Sequence, residues 1–271
     1  MQHCPALGAG RGRPPPRRTT GAVKKETSRL DAALVASGLA VSRERARGLI
    51  LAGRVRVNGE MIAKAGAPVS PDAHLTLIEP DHPYVSRGGV KLAHALDVFG
   101  IDVTGRLALD VGASTGGFTD VLLRRGAPRV VAIDVGHSQL DWKLRSDPRV
   151  IVFERLNART LTAEQLPEDA REFDVVTMDV SFISVKHILP ALVPLLRPGA
   201  DLVVLVKPQF EAGREEVGKG GLVHDPAVHG RVIDEVAAAA NALRLTRSAM
   251  TESPITGTEG NREFFLHLRH G

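Results

Sequence analysis

The chain has 271 residues, of which 43% are hydrophobic, and a formal net charge of +4 at pH 7. No apolar run approaches the roughly 20 residues that span a bilayer, and the first 26 residues lack the continuous apolar segment of a secretory signal. The one cysteine, Cys4, excludes an intramolecular disulfide framework and a cysteine-rich zinc site. We expect a cytoplasmic protein of one or two domains that uses no metal and does not enter a membrane.

The basic charge is concentrated at the start of the chain. Residues 1–26 carry six Lys/Arg against one acid, residues 27–86 seven against six, and residues 87–271 22 against 24. The first segment is rich in Gly, Pro and Arg and has no helical or strand periodicity, so we predict a disordered basic tail over 1–26. It either attaches electrostatically to nucleic acid or is a solvated tail without that role. A start codon assigned too far upstream would also add such a tail to the sequence.

Residues 27–80 predict a small α+β module. A short amphipathic helix is indicated by apolar residues at helical spacing, namely Leu30, Ala33, Leu34 and Leu39. Ser42 suits the N-cap of a second helix that carries Ala46, Leu49 and Ile50. Asn58-Gly59 is a strong two-residue turn signal and predicts a β-hairpin that starts near Val55, with further strands near 61–62 and 74–78.

Arginines cluster on this module, five of them between positions 43 and 56 with only Glu44 opposing them. Guanidinium groups suit bidentate phosphate contact, whereas the alternative is a solvated basic face. The string SRLDAALVASGLAVSRERARGLILAGRVRVNGEMIAKAGAPV resembles the RNA-binding domain named after ribosomal protein S-four. The resemblance implies binding of structured RNA, read largely by shape and backbone. The candidate RNA-binding residues are Arg29, Arg43, Arg45, Arg47, Arg54 and Arg56.

After a connector at 81–86 and a helix in the string VSRGGVKLAHALDVFG, apolar strands alternate with helices through 87–271. The pattern predicts strands at 107–111, 130–134, 150–153, 173–179, 201–207, 245–252 and 262–268, with helices that include 184–196 and 226–243. Such alternation is typical of an α/β fold with a doubly wound, mostly parallel sheet. We therefore expect a Rossmann-like domain with a seven-stranded sheet, in which the last strands include an antiparallel one.

The stretch LALDVGASTGGFTD at 107–120 reads as a strand, a glycine-rich turn and the start of a helix. Gly112, Gly116 and Gly117 allow positive φ and close approach, and the helix N-terminus favours an anionic ligand group. Ser114 stands where a dinucleotide fingerprint requires glycine, and the acid-x-G-x-G/S-x-G pattern is typical of S-adenosylmethionine methyltransferases. The expected cofactor is S-adenosyl-L-methionine, with candidate contacts Asp110, Gly112, Ala113, Ser114, Gly116, Gly117, Phe118, Asp134 and Asn157.

The position of each contact suggests its partner on the cofactor. Asp134 ends the second predicted strand, where its carboxylate suits both ribose hydroxyls. Asn157 follows the third strand and either lies near the adenine or is an ordinary polar loop residue.

Four predicted strands end in a charged residue: Asp110, Asp134, Asp179 and Lys207. In open α/β sheets the ligand lies beyond the carboxyl ends of the strands, so we expect the active site there. The predicted domain contains no cysteine, which excludes C5 methylation of pyrimidines. Asp179-Val-Ser-Phe182 lacks both prolines of the amino-group methyltransferase motif, which disfavours base N-methylation. A ribose 2′-hydroxyl fits better, with Lys207 and Asp179 meeting across the site.

From about residue 28 to 268 the chain resembles the bacterial TlyA family of rRNA 2′-O-methyltransferases, whose catalytic domain is FtsJ-like. The matching strings are VSRGGVKL, LDVGASTGGFTDVLLRRGA, DVGHSQL, ERLNAR, DVSFIS, LVKPQFE, GGLVHDP and SPITGTEGNREFFL. The resemblance implies a catalytic tetrad of Lys91, Asp179, Lys207 and Glu263. In it Lys207 is the expected base, Asp179 and Glu263 orient it and the ribose, and Lys91 positions substrate and lowers the proton affinity of Lys207 by like-charge repulsion.

The resemblance also implies the substrate and the partners. We expect methylation of cytidine in ribosomal RNA, with large-subunit rRNA as the substrate and small-subunit rRNA as a second candidate. The end of the chain directly after the last predicted strand favours a single subunit. Ribosomal subunits are the expected partners and a monomer is the expected state. In the connector, Tyr84-Val85 stands at the family's aromatic–valine pair.

Two alternatives belong to other functional classes. An RNA-binding protein with an inactive methyltransferase domain is disfavoured by the intact charged residues at the strand ends. A membrane-active haemolysin, a label that members of this family also carry, is disfavoured because the sequence has no apolar span.

Overall fold

The structure, a computed structural model, describes residue 1 and residues 27–40, 42–78 and 82–271. The predicted basic tail therefore lies outside the described residues, apart from Met1. Residues 79–81, which end the predicted module and begin the predicted connector, also lie outside them.

Residues 27–78 form an N-terminal module of two helices and short strands. Ser42 accepts a hydrogen bond from the Arg45 backbone N–H at 3.1 Å, so the predicted N-cap is present. The predicted hairpin turns at Asn58 and Gly59, whose φ values are +52° and +89°. The elements are β1 Ser28–Arg29, α1 Leu30–Ala36, α2 Arg43–Leu51, β2 Val55–Val57, β3 Glu60–Met61, β4 Pro68–Val69 and β5 Leu75–Leu77.

Residues 82–271 form a C-terminal domain around one seven-stranded sheet. The strands follow the order β11-β12-β10-β9-β6-β7-β8, and all neighbours are parallel except β10/β12 and β11/β12. The helices and strands are α3 Gly88–Phe99, β6 Ala108–Val111, α4 Gly117–Arg124, β7 Val130–Asp134, α5 Trp142–Arg145, β8 Val150–Glu154, β9 Phe173–Met178, α6 Leu189–Leu192, β10 Leu196–Val206, α7 Pro208–Glu211, α8 Pro226–Ala242, β11 Leu245–Glu252 and β12 Phe264–His270. The predicted doubly wound fold with an antiparallel strand near its end is confirmed.

The central strands are buried on both faces. In β6, for example, Leu109 belongs to one apolar layer and Ala108 to the other, and Val176 and Val175 of β9 divide in the same way. Helices α3 and α4 cover the layer that contains Ala108. Parallel strands that are covered on both sides read as continuous apolar runs, which explains why these strands are recognisable in the sequence.

The predicted helix over 184–196 is wrong. The segment forms α6 of only four residues, Leu189–Leu192, between 3₁₀ turns at 185–187 and 193–195. Pro190 and Pro194 each lie at the start of one of these short helices, and because proline has no backbone N–H it prevents a continuous helix here. The sequence Arg197-Pro198-Gly199, directly after the predicted helix, lies in β10, where the pairing with β9 is irregular between Leu196 and Asp201.

Candidate active site

The glycine-rich turn after β6 is pressed against the end of β9. Val111 pairs with Met178, so Gly112 and Asp179 are the next residues along the two neighbouring strands. Gly112 has a φ of +84°, and a Cβ there would lie 3.0 Å from the Asp179 carbonyl carbon and 3.1 Å from Val180 Cγ1. Only glycine fits this position, because both the backbone conformation and the space exclude a side chain.

A second glycine shapes the other side of the turn. Gly116 has a φ of +95°, and a Cβ there would overlap the Leu140 and Leu144 side chains. Asp141, between these leucines, donates its backbone N–H to the Thr115 carbonyl at 3.1 Å. The segment around α5 therefore forms a wall against the glycine-rich turn.

Asp134 lies at the end of β7, as predicted, and faces a small cavity. Its Oδ2 accepts from the Ser114 N–H at 2.8 Å and its Oδ1 from the Gly136 N–H at 2.7 Å. The cavity is also lined by Ala113, Gln139, Leu140, Val152, Phe153 and Glu154. Each carboxylate oxygen retains a lone pair, so Asp134 can still accept hydrogen bonds from two ligand hydroxyls.

Asp110 lies differently from the other strand-end charges. It is inside β6 rather than at its end and has no exposed surface, which corrects its predicted place among the strand ends facing the ligand. Its Oδ2 accepts from Thr119 Oγ1 at 2.6 Å and its Oδ1 from Thr177 Oγ1 at 3.1 Å. Burial raises the pKa of Asp110 to about 7.

Other predicted cofactor contacts are turned away from the cavity. Phe118 is buried and packs against Phe265 with ring centroids 6.1 Å apart, so its side chain belongs to the core. Gly117 begins α4 and packs against the backbone of α3, where a Cβ would lie 2.8 Å from the Gly89 nitrogen. Asn157 is exposed and caps a 3₁₀ turn by accepting from the Arg159 N–H at 3.0 Å, and it does not line the cavity.

The four residues of the implied tetrad form two ion pairs at the same sheet edge. Lys207 Nζ lies 2.6 Å from Asp179 Oδ1 and donates to Ser181 Oγ at 2.9 Å. Lys91 Nζ, on α3, lies 2.5 Å from Glu263 Oε2. The register explains the arrangement: Val206 pairs with Phe264, so Lys207 and Glu263 are the adjacent residues on antiparallel β10 and β12.

Buried contacts hold the loops that carry these pairs. Glu211 of α7 accepts from Ser184 Oγ at 2.6 Å and from the Val185 N–H at 2.8 Å, which ties the loop after Asp179 to the helix after Lys207. Burial raises the pKa of the Glu211 carboxyl above its ordinary value. Gly257 lies against Glu263, because a Cβ at 257 would be 2.6 Å from Glu263 Oε1.

Phe182, three residues after Asp179, is an aromatic residue with an unusual backbone conformation. Its side chain is 90% exposed, and its φ of +65° is rare for a bulky residue. Its ring stands 5.2 Å from that of Phe210, centroid to centroid. A strained backbone that presents an apolar ring to solvent at a catalytic edge indicates a ligand-binding role.

Three of the predicted RNA-binding arginines surround one buried carboxylate on the N-terminal module. Asp31 has no exposed surface and accepts from Arg29, Arg43 and Arg47 at 2.9–3.3 Å. The arginine side chains remain 51%, 52% and 43% exposed, respectively. Hydrogen bonds from Arg29 above all hold the pKa of Asp31 far below its usual range, so the carboxylate stays charged and fixes the three guanidinium groups.

The other three arginines are separated from this cluster. Arg56 is exposed on β2, and Arg54 donates to the Ile78 carbonyl at 3.3 Å. Arg45 points to the C-terminal domain and donates through Nη1 to Asp141 Oδ2, with 24% of its side chain exposed. The six candidate RNA-binding arginines therefore do not share one surface, because the Arg45 side chain points to the C-terminal domain.

The sequence reasoning selected the charged residues of the site but missed three polar ones that shape it. Ser181, which accepts a hydrogen bond from Lys207, lies two residues after Asp179. Its position just beyond the end of a strand could have identified it as a site residue. Gln139 and Asp141 lie in a loop without regular periodicity, so only the geometry brings them to the glycine-rich turn.

The described residues show neither a candidate metal site nor a helix that could span a membrane. Within 27–40, 42–78 and 82–271, no three His, Cys, Asp or Glu side chains come together in a way that could bind a metal ion. The helices of these ranges also include none with the length and apolar character needed to traverse a bilayer.

Known families match both parts of the chain. Residues 84–270 match the FtsJ-like methyltransferase family, and residues 28–75 match the S4 domain. A Mycobacterium tuberculosis protein named 16S/23S rRNA (cytidine-2′-O)-methyltransferase TlyA is 50% identical over 243 residues, which cover 89% of this chain and 90% of that protein. The chain belongs to the TlyA family. Both resemblances seen in the sequence are therefore confirmed.

Solved structures agree with this TlyA-family assignment. A Streptococcus thermophilus protein described as a hemolysin has a TM-score of 0.70 and 42% identity, covering 91% of this chain and 89% of that one. A Listeria monocytogenes protein described as an S-adenosylmethionine dependent methyltransferase has a TM-score of 0.51 and 14% identity, covering 68% and 98%, and shares the fold. The hemolysin label thus occurs among TlyA-family relatives beside the methyltransferase one.

Replacing Gly112 with alanine tests the close packing of this TlyA-family turn. We expect Gly112→Ala to lose S-adenosylmethionine binding and to lower the melting temperature, because the new Cβ must displace the Asp179 backbone. Gly105→Ala is the matched control: its φ of +72° imposes similar strain, about 1 kcal/mol, but nothing lies within 4 Å of the new Cβ. Equal cofactor affinity in the two variants, measured by calorimetry, would contradict the packing argument.

The raised pKa of Asp110 predicts a pH dependence of stability. The folded carboxyl retains its proton up to about pH 7, whereas the unfolded one loses it near 3.8. Between these values the folded state binds more protons, so this contribution to the free energy of unfolding is full below 3.8 and is lost as pH rises through 7. Urea unfolding of wild type and Asp110→Asn at several pH values should show wild type losing stability relative to the variant over this window.

A control isolates the effect of burial. Asp97 is exposed, and its hydrogen bond with Arg125 lowers its pKa below 3.8, so Asp97→Asn should change the pH dependence only under that value. A difference between wild type and Asp110→Asn that stays constant from pH 4 to pH 8 would rule out the protonated buried carboxyl.

Proposed function

We propose that the chain methylates the ribose 2′-hydroxyl of cytidine in ribosomal RNA, using S-adenosylmethionine. The observation that carries the proposal is the contact of Gly112 with Asp179, because it joins a cofactor-type turn directly to the Lys207–Asp179 ion pair. The name of the M. tuberculosis relative supports the reaction and both rRNA substrates. For this chain we propose large-subunit rRNA as the substrate and small-subunit rRNA as a second one.

The residues around the glycine-rich turn fit S-adenosylmethionine. Gly112 and Gly116 keep the turn free of side chains, and Asp134 offers two oxygens that each accept only one backbone hydrogen bond. A ribose with two adjacent hydroxyls matches that carboxylate. When bound, the cofactor supplies an electrophilic methyl group. Asp110, being buried, joins β6 to β9 through Thr177 and to α4 through Thr119 rather than contacting the cofactor.

The two ion pairs have different roles toward the acceptor hydroxyl. Transfer to a 2′-oxygen requires removal of its proton as the new bond forms. Lys207 accepts that proton in its neutral amine form, while Asp179 and Ser181 hold its Nζ in place and stabilise the ammonium that results. Glu263 fixes the Lys91 amine, which can then donate a hydrogen bond to the ribose or a phosphate. Because all four groups sit on strand ends or on α3, their positions are set by the sheet rather than by loops.

The N-terminal module supplies the electrostatic attraction for RNA. Three guanidinium groups around the Asp31 carboxylate leave two net positive charges on a surface where each arginine is about half-exposed. Guanidinium groups that already point in fixed directions lose little side-chain entropy when they bind phosphate. Arg56 adds an exposed positive charge on β2, whereas Arg54 lines the cleft against the C-terminal domain. The partner we propose is a ribosomal subunit bound by a monomer in the cytoplasm.

Replacing Lys207 tests the proposed base. We expect Lys207→Ala to reduce tritiated-methyl transfer to separated ribosomal subunits by about 10² to 10⁴, the usual value of general-base catalysis, while S-adenosylmethionine binding remains. The matched control is Lys219→Ala, which removes an exposed lysine that contacts none of the tetrad residues and should retain activity. Wild-type activity in Lys207→Ala would refute the base assignment, and no transfer by wild type to either subunit would refute the proposed function.

Phe182 is proposed to stack on the target base. Aromatic stacking on a splayed-out nucleobase contributes roughly 1–3 kcal/mol, so Phe182→Leu should raise the KM for rRNA by about five- to a hundredfold and leave cofactor affinity unchanged. Phe182→Tyr keeps the ring and should remain near wild type. Steady-state kinetics with rRNA as the varied substrate provide the measurement. A normal KM in Phe182→Leu would show that the exposed ring does not contact the base.

A further inference from the structure

Arg45 is placed unlike the other arginines of the N-terminal module. Its backbone N–H donates to Oγ of Ser42, the N-cap of α2, while its side chain points away from the module and donates to Asp141 in the C-terminal domain. Only 24% of the Arg45 side chain and 13% of the Asp141 side chain are exposed, whereas Arg29, Arg43 and Arg47 are about half-exposed around Asp31. Arg45 is therefore poorly placed for RNA phosphate.

Asp141 is connected to the glycine-rich turn by one direct hydrogen bond and through the leucines on either side of it. Its backbone N–H bonds to the Thr115 carbonyl, inside the turn, and its Oδ1 caps α5 by accepting from the Lys143 N–H at 3.0 Å. The flanking Leu140 and Leu144 fill the space that Gly116 leaves open. With Oδ1 used for the cap, Oδ2 is the oxygen that receives Arg45.

A small cleft lies where the two parts meet. Arg45 and Leu49 of α2 line one side of it, and Thr115, Gln139 and Asp141 line the other. Gln139 also lines the cavity beside Asp134 and accepts from Ser114 Oγ at 3.2 Å. The same loop, 139–141, thus faces the N-terminal module on one side and the cofactor cavity on the other.

We propose that Arg45 is a positioning residue of the cofactor-binding turn, acting through Asp141, and not an RNA contact. The inference rests on the proposed function and extends it, because it assigns part of the cofactor site to the N-terminal module. The guanidinium fixes Asp141 and, with it, the start of α5 and the wall against Gly116. Without that restraint the loop 139–141 loses order, and binding of S-adenosylmethionine must restore it.

The test is the affinity of the full-length protein for tritiated S-adenosylmethionine in the absence of RNA. We expect Arg45→Ala and Asp141→Asn each to raise the Kd by about three- to thirtyfold, a range for a partly buried ion pair. The double variant should be no worse than either single one, because both remove the same contact. With saturating cofactor, kcat should stay within about twofold of wild type, so the loss appears in KM for S-adenosylmethionine. Arg45→Lys should recover part of the affinity.

Arg125→Ala is the matched control. It removes an arginine–aspartate pair of the same kind, that of Arg125 with Asp97 at 2.6 Å, at the C-terminal end of α4. We expect its cofactor Kd to equal that of wild type, and melting temperatures without cofactor verify that every variant is folded. Because Asp141→Asn retains the acceptor that caps α5, it separates the loss of the ion pair from the loss of the helix.

The possible results distinguish a failure of the Arg45 inference from a failure of the proposed function. An unchanged cofactor Kd in Arg45→Ala, together with weaker RNA binding, would overturn the inference and return Arg45 to the RNA-binding surface. An unchanged Kd in Asp141→Asn would overturn it as well. If wild type itself bound no S-adenosylmethionine, with or without rRNA, the proposed function would fall instead.

Discussion

The close approach of β6 and β9 at their carboxyl ends is the constraint on which the site depends. These two strands are neighbours at the centre of the sheet, and Gly112 brings the turn after β6 against the backbone of Asp179. Because both strands are buried on both faces, neither can shift to make room for a side chain. The glycine-rich turn and the acid that holds Lys207 are therefore fixed to each other by backbone packing.

The rest of the catalytic edge follows from the register of the neighbouring strands. Antiparallel pairing of β10 with β12 places Lys207 beside Glu263, although 56 residues separate them in the chain. Helix α3 packs against α4 and brings Lys91 to Glu263. Two lysines and two acids that gather at one edge would be costly if unpaired, and their pairing as two ion pairs keeps each charge compensated. An antiparallel last strand is thus a requirement of this site, since a parallel one would present its other end here.

Much of this arrangement could be predicted, and the failures have physical causes. Strands buried on both faces give continuous apolar runs, so the residues that follow them, Asp134, Asp179 and Lys207, were identifiable as a site. The sequence does not show which side chains of a motif face the ligand. Asp110 and Phe118 lie in the glycine-rich motif, but their side chains are buried in the core. The interrupted helix at α6 shows that proline outweighs apolar periodicity over a short segment. The direction of Arg45 could not be predicted, because helical spacing shows which residues share a face but not which face meets another domain.

The arginines of the N-terminal module show why charge counts overstate RNA contacts. Asp31 neutralises one of the three guanidinium groups that surround it, and Arg45 is compensated by Asp141, so the charge available to phosphate is smaller than six. The same two carboxylates also order the arginines, because Asp31 fixes three guanidinium groups and Asp141 holds Arg45 against the loop beside the glycine-rich turn. Helix α2 therefore has two different sides: Arg43 and Arg47 belong to the arginine cluster around Asp31, and Arg45 contacts the C-terminal domain. If the proposed roles hold, one short helix contributes to the binding of both the RNA and the methyl donor.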